Sequence, residues 1–191
     1  MDSDTTLPRK RNAATTRAAM LDAAVCRFAR DGYDGASVRD IAADAGVDAA
    51  LVSRYFGGKE ELFNEVLSCS PSPAHFFEGG REGFGVRVAH AVVMEPANNR
   101  KLDCIFAMLR SASSEKASQA IRESGQMRFY DPLAAMLVGD DKMVRARLIG
   151  ALIMGVAISR ALAPDLGLYD DDERKVFCEI LAEKLQQLAD G

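Results

Sequence analysis

The sequence has no tryptophan, two histidines, four cysteines and six prolines. Each scarcity excludes something. Cys26, Cys69, Cys104 and Cys178 are far apart and form no C-x-x-C pair. With so few histidines beside them, the ligand spacing of a metal site is absent, and no cofactor is implied. Isolated thiols in helical patterns are read as small buried hydrophobes, with a redox-sensing thiol as the alternative. The polar N-terminus lacks the apolar stretch of a secretory leader. The longest apolar run, Leu148 to Ile158, is 11 residues, too short to span a membrane. A cytoplasmic protein is expected. No Ser/His/Asp order, no carboxylate pair in an apolar context and no glycine-rich phosphate loop is present, so no enzyme is predicted.

What is present favours helix. Runs of β-branched residues are scarce, and Ala, Leu, Met, Arg and Glu dominate. A chain of 191 residues, 48% hydrophobic and 27% charged, suffices for one or two domains with a real core. The net charge of −4 weighs weakly against a nucleic-acid partner. Residues 1–67 hold 9 basic and 11 acidic side chains, a net of −2, and the remainder 15 and 17, again −2. Any DNA-binding face must therefore come from local placement. Arg9, Lys10, Arg11 and Arg17 are its N-terminal cations, while Asp22, Asp31 and Asp34 can face away.

The informative stretch runs from Ser37 to Lys59. Ser37 is a good N-cap, and Val38, Ile41, Ala42 and Ala45 follow at helical spacing. Gly46 sits where the chain must turn, and Asp48 can cap a second helix running through Tyr55 before Phe56-Gly57-Gly58 closes it. Two short helices joined by a Gly-containing turn make a helix-turn-helix, whose second helix enters the DNA major groove.

Around this stretch, Ala23-Ala24, Phe28, Gly32, Gly35, Ser37-Val38, Ile41-Ala42, Ala45-Gly46-Val47, Phe56, Lys59 and Leu62-Phe63 stand in a consistent order and spacing. Residues 17–63 thereby resemble the N-terminal domain of TetR-type transcriptional regulators. A looser likeness follows in Ala50-Leu51-Val52, Phe56-Gly57-Gly58-Lys59 and a late G-x-x-x-x-R from Gly155 to Arg160.

The resemblance implies an all-α fold: an N-terminal three-helix helix-turn-helix head and a C-terminal helical ligand-binding and dimerisation body. The expected division is a flexible basic arm over 1–12, a DNA-binding domain with its connecting helix over 13–69, and the effector-binding and dimerisation domain over 70–191. Ser70-Pro71-Ser72-Pro73 marks the boundary. The first helix is predicted from a Thr15 or Thr16 cap to about Asp31, with Leu21, Ala24, Val25 and Phe28 as its buried stripe.

By the same resemblance the DNA contacts are Ser37 and Arg39 at the start of one helix, Asp48, Ala49, Ala50, Ser53, Arg54 and Tyr55 on the recognition helix, and Lys59 on phosphate. Ser53 departs from the family's usual Tyr, and Leu51 stands where a smaller or polar residue is common. The operator sequence is therefore not legible. The alternative for Arg39 and Arg54 is solvated surface charge.

The body reads as helices over about 83–94, 101–112, 114–137, 142–163 and from about 170 to the end. Pro132 is predicted to kink or restart the third. The stretch Leu148 to Ile158 is apolar on every face, so it reads as buried all round, with Gly150 and Gly155 where another backbone comes close. Together with a stripe on the last helix it predicts a homodimer joined as a four-helix bundle. The interface candidates are Leu148, Ala151, Leu152, Gly155, Ile158, Phe177, Leu181 and Leu185; the alternative is an internal core pair.

An apolar or amphipathic effector is expected among Phe84, Met94, Phe106, Met108, Met127, Phe129, Tyr130 and Met154, residue types that serve as core at least as often as pocket. His75, His90 and Arg128 are the polar candidates there. The function this predicts is a ligand-responsive homodimeric repressor released from a double-stranded, palindromic operator. The competing reading is a dimeric small-molecule-binding module with no operator-specific DNA role.

Overall fold

The computed structural model describes residues 7–69, 74–96, 99–163, 166–168 and 170–191, without the side chains of 7–12, 69, 74, 75, 99 and 101. The terminal residues of the predicted arm, the Ser-Pro boundary stretch, Pro164, and the side chains of Cys69 and His75 lie outside this set. Among the described residues every regular element is a helix.

The elements are α1 Leu7–Gly35, α2 Val38–Asp44, α3 Ala49–Phe56, α4 Lys59–Cys69, α5 Ala74–Phe77, α6 Phe84–Val93, α7 Asn99–Ser111 and α8 Glu115–Gly125. A π-helical turn Gln126–Tyr130 leads into α9 Asp131–Met136, followed by α10 Lys142–Leu162 and α11 Asp171–Asp190. The first helix begins before the predicted threonine cap. Pro8 stands in its first turn, where a missing N–H costs nothing because that group has no partner anyway.

Two compact units result. The first holds α1–α4 with Asp103–Ile121; the second holds α5, α6, the end of α8 and everything after it. In the first, Phe28 is fully buried and Phe63 meets it edge-on with centroids 5.0 Å apart. Met20, Val25, Ile41, Val52, Leu62 and Val66 fill the space around them. The stripe predicted on α1 is this core.

In the second unit α6 crosses α11 closely. A Cβ on Gly85 would come 2.1 Å from the Ala182 carbonyl oxygen, and the Gly85 N–H donates to Gln186 Oε1 at 3.0 Å. Only a glycine permits that approach. Arg160 on α10 donates to the carbonyls of Val92 and Glu95 at 2.7 and 2.8 Å, capping the end of α6. The G-x-x-x-x-R arginine thus serves helix packing.

The π-helical turn is the answer to Pro132. In a continuous α-helix this proline would lack its hydrogen bond and collide with the carbonyl four residues back. Instead the Asp131 N–H reaches five residues back to the Gln126 carbonyl, widening the turn. Tyr130 and Phe129 then pack over Gly150, where a Cβ would lie 2.8 Å from the Tyr130 ring. Gly150 makes room for aromatic rings, not for the second backbone that its sequence suggested.

Candidate nucleic-acid interface

The α2–α3 pair is built by local chemistry. The Ser37 hydroxyl accepts from the Asp40 N–H at 3.1 Å and caps α2. At its end Val47 N–H reaches the Ala42 carbonyl and Gly46 N–H the Ala43 carbonyl, with Gly46 at φ +68°. This is a Schellman turn, which satisfies carbonyls that a helix end leaves bare. Asp48 caps α3 through the Ala50 N–H at 2.7 Å. Val52 and Phe56 face the core, leaving Ala50, Ser53 and Arg54 exposed. Ala49 and Tyr55 are half-buried against the core of this unit.

The cations divide sharply. Arg17 pairs with Glu65 at 2.9 Å and lies over the Phe56 ring at 4.7 Å, so it braces α1 against α4 and is not the free basic group expected of it. Arg27 pairs with Asp31 and Asp44, and Arg30 with Asp31. By contrast Arg39 and Arg54 are exposed and make no hydrogen bond or ion pair among the described residues. The Lys59 ammonium sits over the Tyr33 ring, 4.4 Å from its centroid. Burial pulls its pKa below the usual lysine value; Asp34 opposes this and Lys116 adds to it.

One acid, Asp40, was not read as part of this face. The Ser37 hydroxyl donates to the Asp40 carboxylate at 2.6 Å, so its proton is already committed. The signal was present as a serine followed three residues on by an acid, a capping-box spacing. Asp48 is first of all a helix cap.

The other predicted sites fare unevenly. Phe84 is fully buried in the second unit's core. Phe106 and Met108 belong to the first unit, the remaining effector candidates to the second. There Phe129 meets Tyr130 edge-on at 5.2 Å and Phe77 at 6.1 Å, while Met127 is 70% exposed and Met94 and Met154 lie at the surface. A shallow groove of about 540 Å³ beside α6 and α11 is lined by Val86, Glu179, Ala182, Glu183, Gln186 and Gln187 among others, and by none of the predicted pocket residues.

On α10, Leu148, Ala151, Leu152 and Gly155 are exposed together, Val144 and Leu162 extend the same stripe, and Ile158 is half-buried. The helix is therefore not buried all round within one chain. On α11 the expectation is corrected: Leu181 and Leu185 are spent in the protomer's own core, and Phe177 is half-buried against it. The exposed apolar residues of α11 are Val176 and Ile180, one helical turn apart. Cys26 is exposed, against the expected buried thiol, while Cys104 is buried. Among the described residues no group of potential ligands could hold a metal ion, and no helix is long and apolar enough to cross a membrane.

Comparison with known proteins accounts for both units. Residues 20–66 match the family described as bacterial regulatory proteins, tetR family, and residues 82–188 match the tetracyclin repressor-like C-terminal domain. The HTH-type transcriptional repressor SCO4008 of Streptomyces coelicolor is 44% identical over 57 residues. That alignment spans 30% of this chain and 30% of the repressor, so the likeness covers less than a third of that relative's length. Among solved structures, NalD, the secondary repressor of the MexAB-OprM multidrug efflux pump in Pseudomonas aeruginosa, superposes with a TM-score of 0.70 at 22% identity, covering 91% of this chain and 97% of NalD. The TetR-family regulator SCO0857 of Streptomyces coelicolor gives a TM-score of 0.53 at 27% identity over 91% of this chain and 94% of its own. A capped helix-turn-helix followed by this helical body, matched by family over most of its length, makes the chain a member of the TetR family of bacterial regulatory proteins.

Proposed function

We propose that the chain is a homodimeric, cytoplasmic DNA-binding regulator, a repressor that leaves a palindromic operator when a small apolar or amphipathic effector binds. The observation that carries the DNA reading is the α2–turn–α3 pair. Its caps are satisfied, its apolar side is buried, and Arg39, Ala50, Ser53 and Arg54 are left to solvent with both guanidiniums unpaired. Free guanidiniums can read guanine edges or hold phosphates, and alanine can touch thymine methyls. The head over 13–69 carries the operator contacts in this reading, and 70–191 the effector and the second copy.

The exposed stripe of α10, with Val176 and Ile180 of α11, supports dimerisation, because contiguous apolar surface on a helix face is costly in water. The aromatic and methionine side chains of the second unit, Met94, Met127, Phe129, Tyr130 and Met154, support an apolar effector that shifts the population between two states.

A mobility-shift assay with the chain's own upstream DNA tests the core of the proposal. A specific shift that unlabelled operator competes away, and random duplex does not, is the expected result. The alternative, a dimeric binding module without an operator, is favoured by the net charge of −2 over residues 1–67 and by Asp40 and Asp48 on the exposed side. It predicts no specific shift.

A further inference from the structure

The first unit carries a cation toward Lys59 from outside the helix-turn-helix. Tyr33 holds the Lys59 ammonium on its ring at 4.4 Å, and the next residue, Asp34, accepts from the Ser114 hydroxyl at 3.0 Å. Ser114 opens α8, since its carbonyl accepts the Ser118 N–H at 2.8 Å. Lys116 follows two residues later in the first turn of that helix. It is exposed and makes no hydrogen bond or ion pair among the described residues. Through the Ser114–Asp34 hydrogen bond the first turn of α8 is tied to the residue next to Tyr33, whose ring carries Lys59.

The junction that holds them is built. Arg110 donates to the Arg30 carbonyl at 3.1 Å, and the Gly32 backbone meets the Arg110 carbonyl so closely that a Cβ there would lie 2.7 Å from it. Of the described cations on α1, Arg17, Arg27 and Arg30 are committed to carboxylates, whereas Lys116 is not.

We propose that Lys116 is a DNA-backbone contact, adding one phosphate per half-site beside the one Lys59 takes. The Tyr33–Asp34–Ser114 connection places the two lysines on one corner of this unit, where a single backbone strand can meet both. The proposal rests on the DNA-binding reading above and extends it to a residue of α8, outside the recognised head.

The test is the salt dependence of binding by the full chain, with its upstream DNA and with a random duplex as probes. Lys116→Ala is expected to lower the log–log slope by about 1.8 for both, at roughly 0.9 per phosphate in each of two subunits. A fourfold rise in salt then costs the variant roughly tenfold less affinity than the wild type. Lys116→Arg should keep the wild-type slope, and neither variant should change the melting temperature. An unchanged slope in Lys116→Ala overturns the proposal. So does a lowered melting temperature with the slope intact, which makes Lys116 a brace for the α8 junction through Asp34. A wild-type chain that binds neither DNA sinks the regulator reading along with it, an outcome seen before any variant is compared.

Discussion

The carbonyl oxygen of Arg110 occupies the place where Gly32 would carry a Cβ, 2.7 Å from that ideal position, and Gly32 itself stands at φ +68° and ψ 178°. Backbone of this kind is essentially reserved for glycine. Gly32→Ala should therefore lower stability by more than about 2 kcal/mol, the conformational strain plus a backbone contact that cannot yield. Gly46→Ala shares the φ of +68° but meets nothing within 4 Å, so it should lose only the strain, about 1–2 kcal/mol. Denaturant midpoints of the two variants check the order; equal losses would refute the steric part.

Gly155 poses the opposite case. A Cβ there meets nothing within 4 Å of the protomer, so in an isolated chain Gly155→Ala should stabilise α10 by about 1 kcal/mol. In a dimer that packs on this stripe the added methyl, and far more a Gly155→Glu side chain, should weaken association. Sedimentation equilibrium across protein concentrations separates the two. A wild-type monomer at micromolar concentration would remove the dimer from the proposed function.

The free guanidiniums and the half-buried ammonium should behave differently on DNA. Lys59→Ala should weaken all sequences alike and lower the log–log salt slope by about 1.8 per dimer. Whichever of Arg39 and Arg54 reads a base should cost about 1–3 kcal/mol per half-site when replaced by alanine, and relax one operator position. If both alanine variants keep the wild-type ranking of single-base operator variants, specificity lies with Ala49, Ala50, Ser53, Tyr55 and DNA shape.

Ser37 and Asp40 predict a separation of stability from binding. Ser37→Ala removes the cap and should cost about 1 kcal/mol. Asp40→Asn keeps an acceptor for the Ser37 hydroxyl but removes a negative charge at the proposed phosphate face. It should raise affinity for random duplex with little change in melting temperature. Weaker or unchanged binding would place Asp40 away from the DNA.

Asp31 sets a pH dependence. Hydrogen bonds from Arg30 and then Arg27 hold its pKa below the ordinary aspartate value of 3.8. A depressed folded-state pKa means the unfolded chain binds the proton more readily. Its contribution is present above pH 3.8 and is lost as pH falls through the folded value. Carboxyl titration by NMR should place Asp31 below the ordinary aspartate range, and Asp31→Asn should flatten the acid side of the stability curve.

The head was legible because its signals are local. Caps at Ser37 and Asp48, the turn glycine Gly46 and the stripe through Phe28 each act within a few residues. The second unit was less so, because periodicity gives a helix's apolar stripe but not which neighbour covers it. Leu181 and Leu185 look the same in sequence as Val176 and Ile180, yet α6 covers only the first pair, through a crossing that Gly85 permits. Arg17 read as a DNA cation because its partner Glu65 lies on another helix. Asp103–Ile121 joined the first unit through Ser114–Asp34 and Arg110–Arg30, contacts between residues 80 apart in sequence.

The widened turn at Gln126–Tyr130 also resets the angular count of the chain. One additional residue in a helical turn advances the phase by about 100°, so side chains on α8 and α9 that seem to share a face by three-and-four spacing do not. Leu133 on α9 is fully buried, so its place in the core depends on that phase. Deleting one residue within Gln126–Tyr130 therefore rotates α9 by about 100° against the end of α8 and should turn Leu133 out of its core, whereas Pro132→Ala leaves the residue count, and with it the phase, intact.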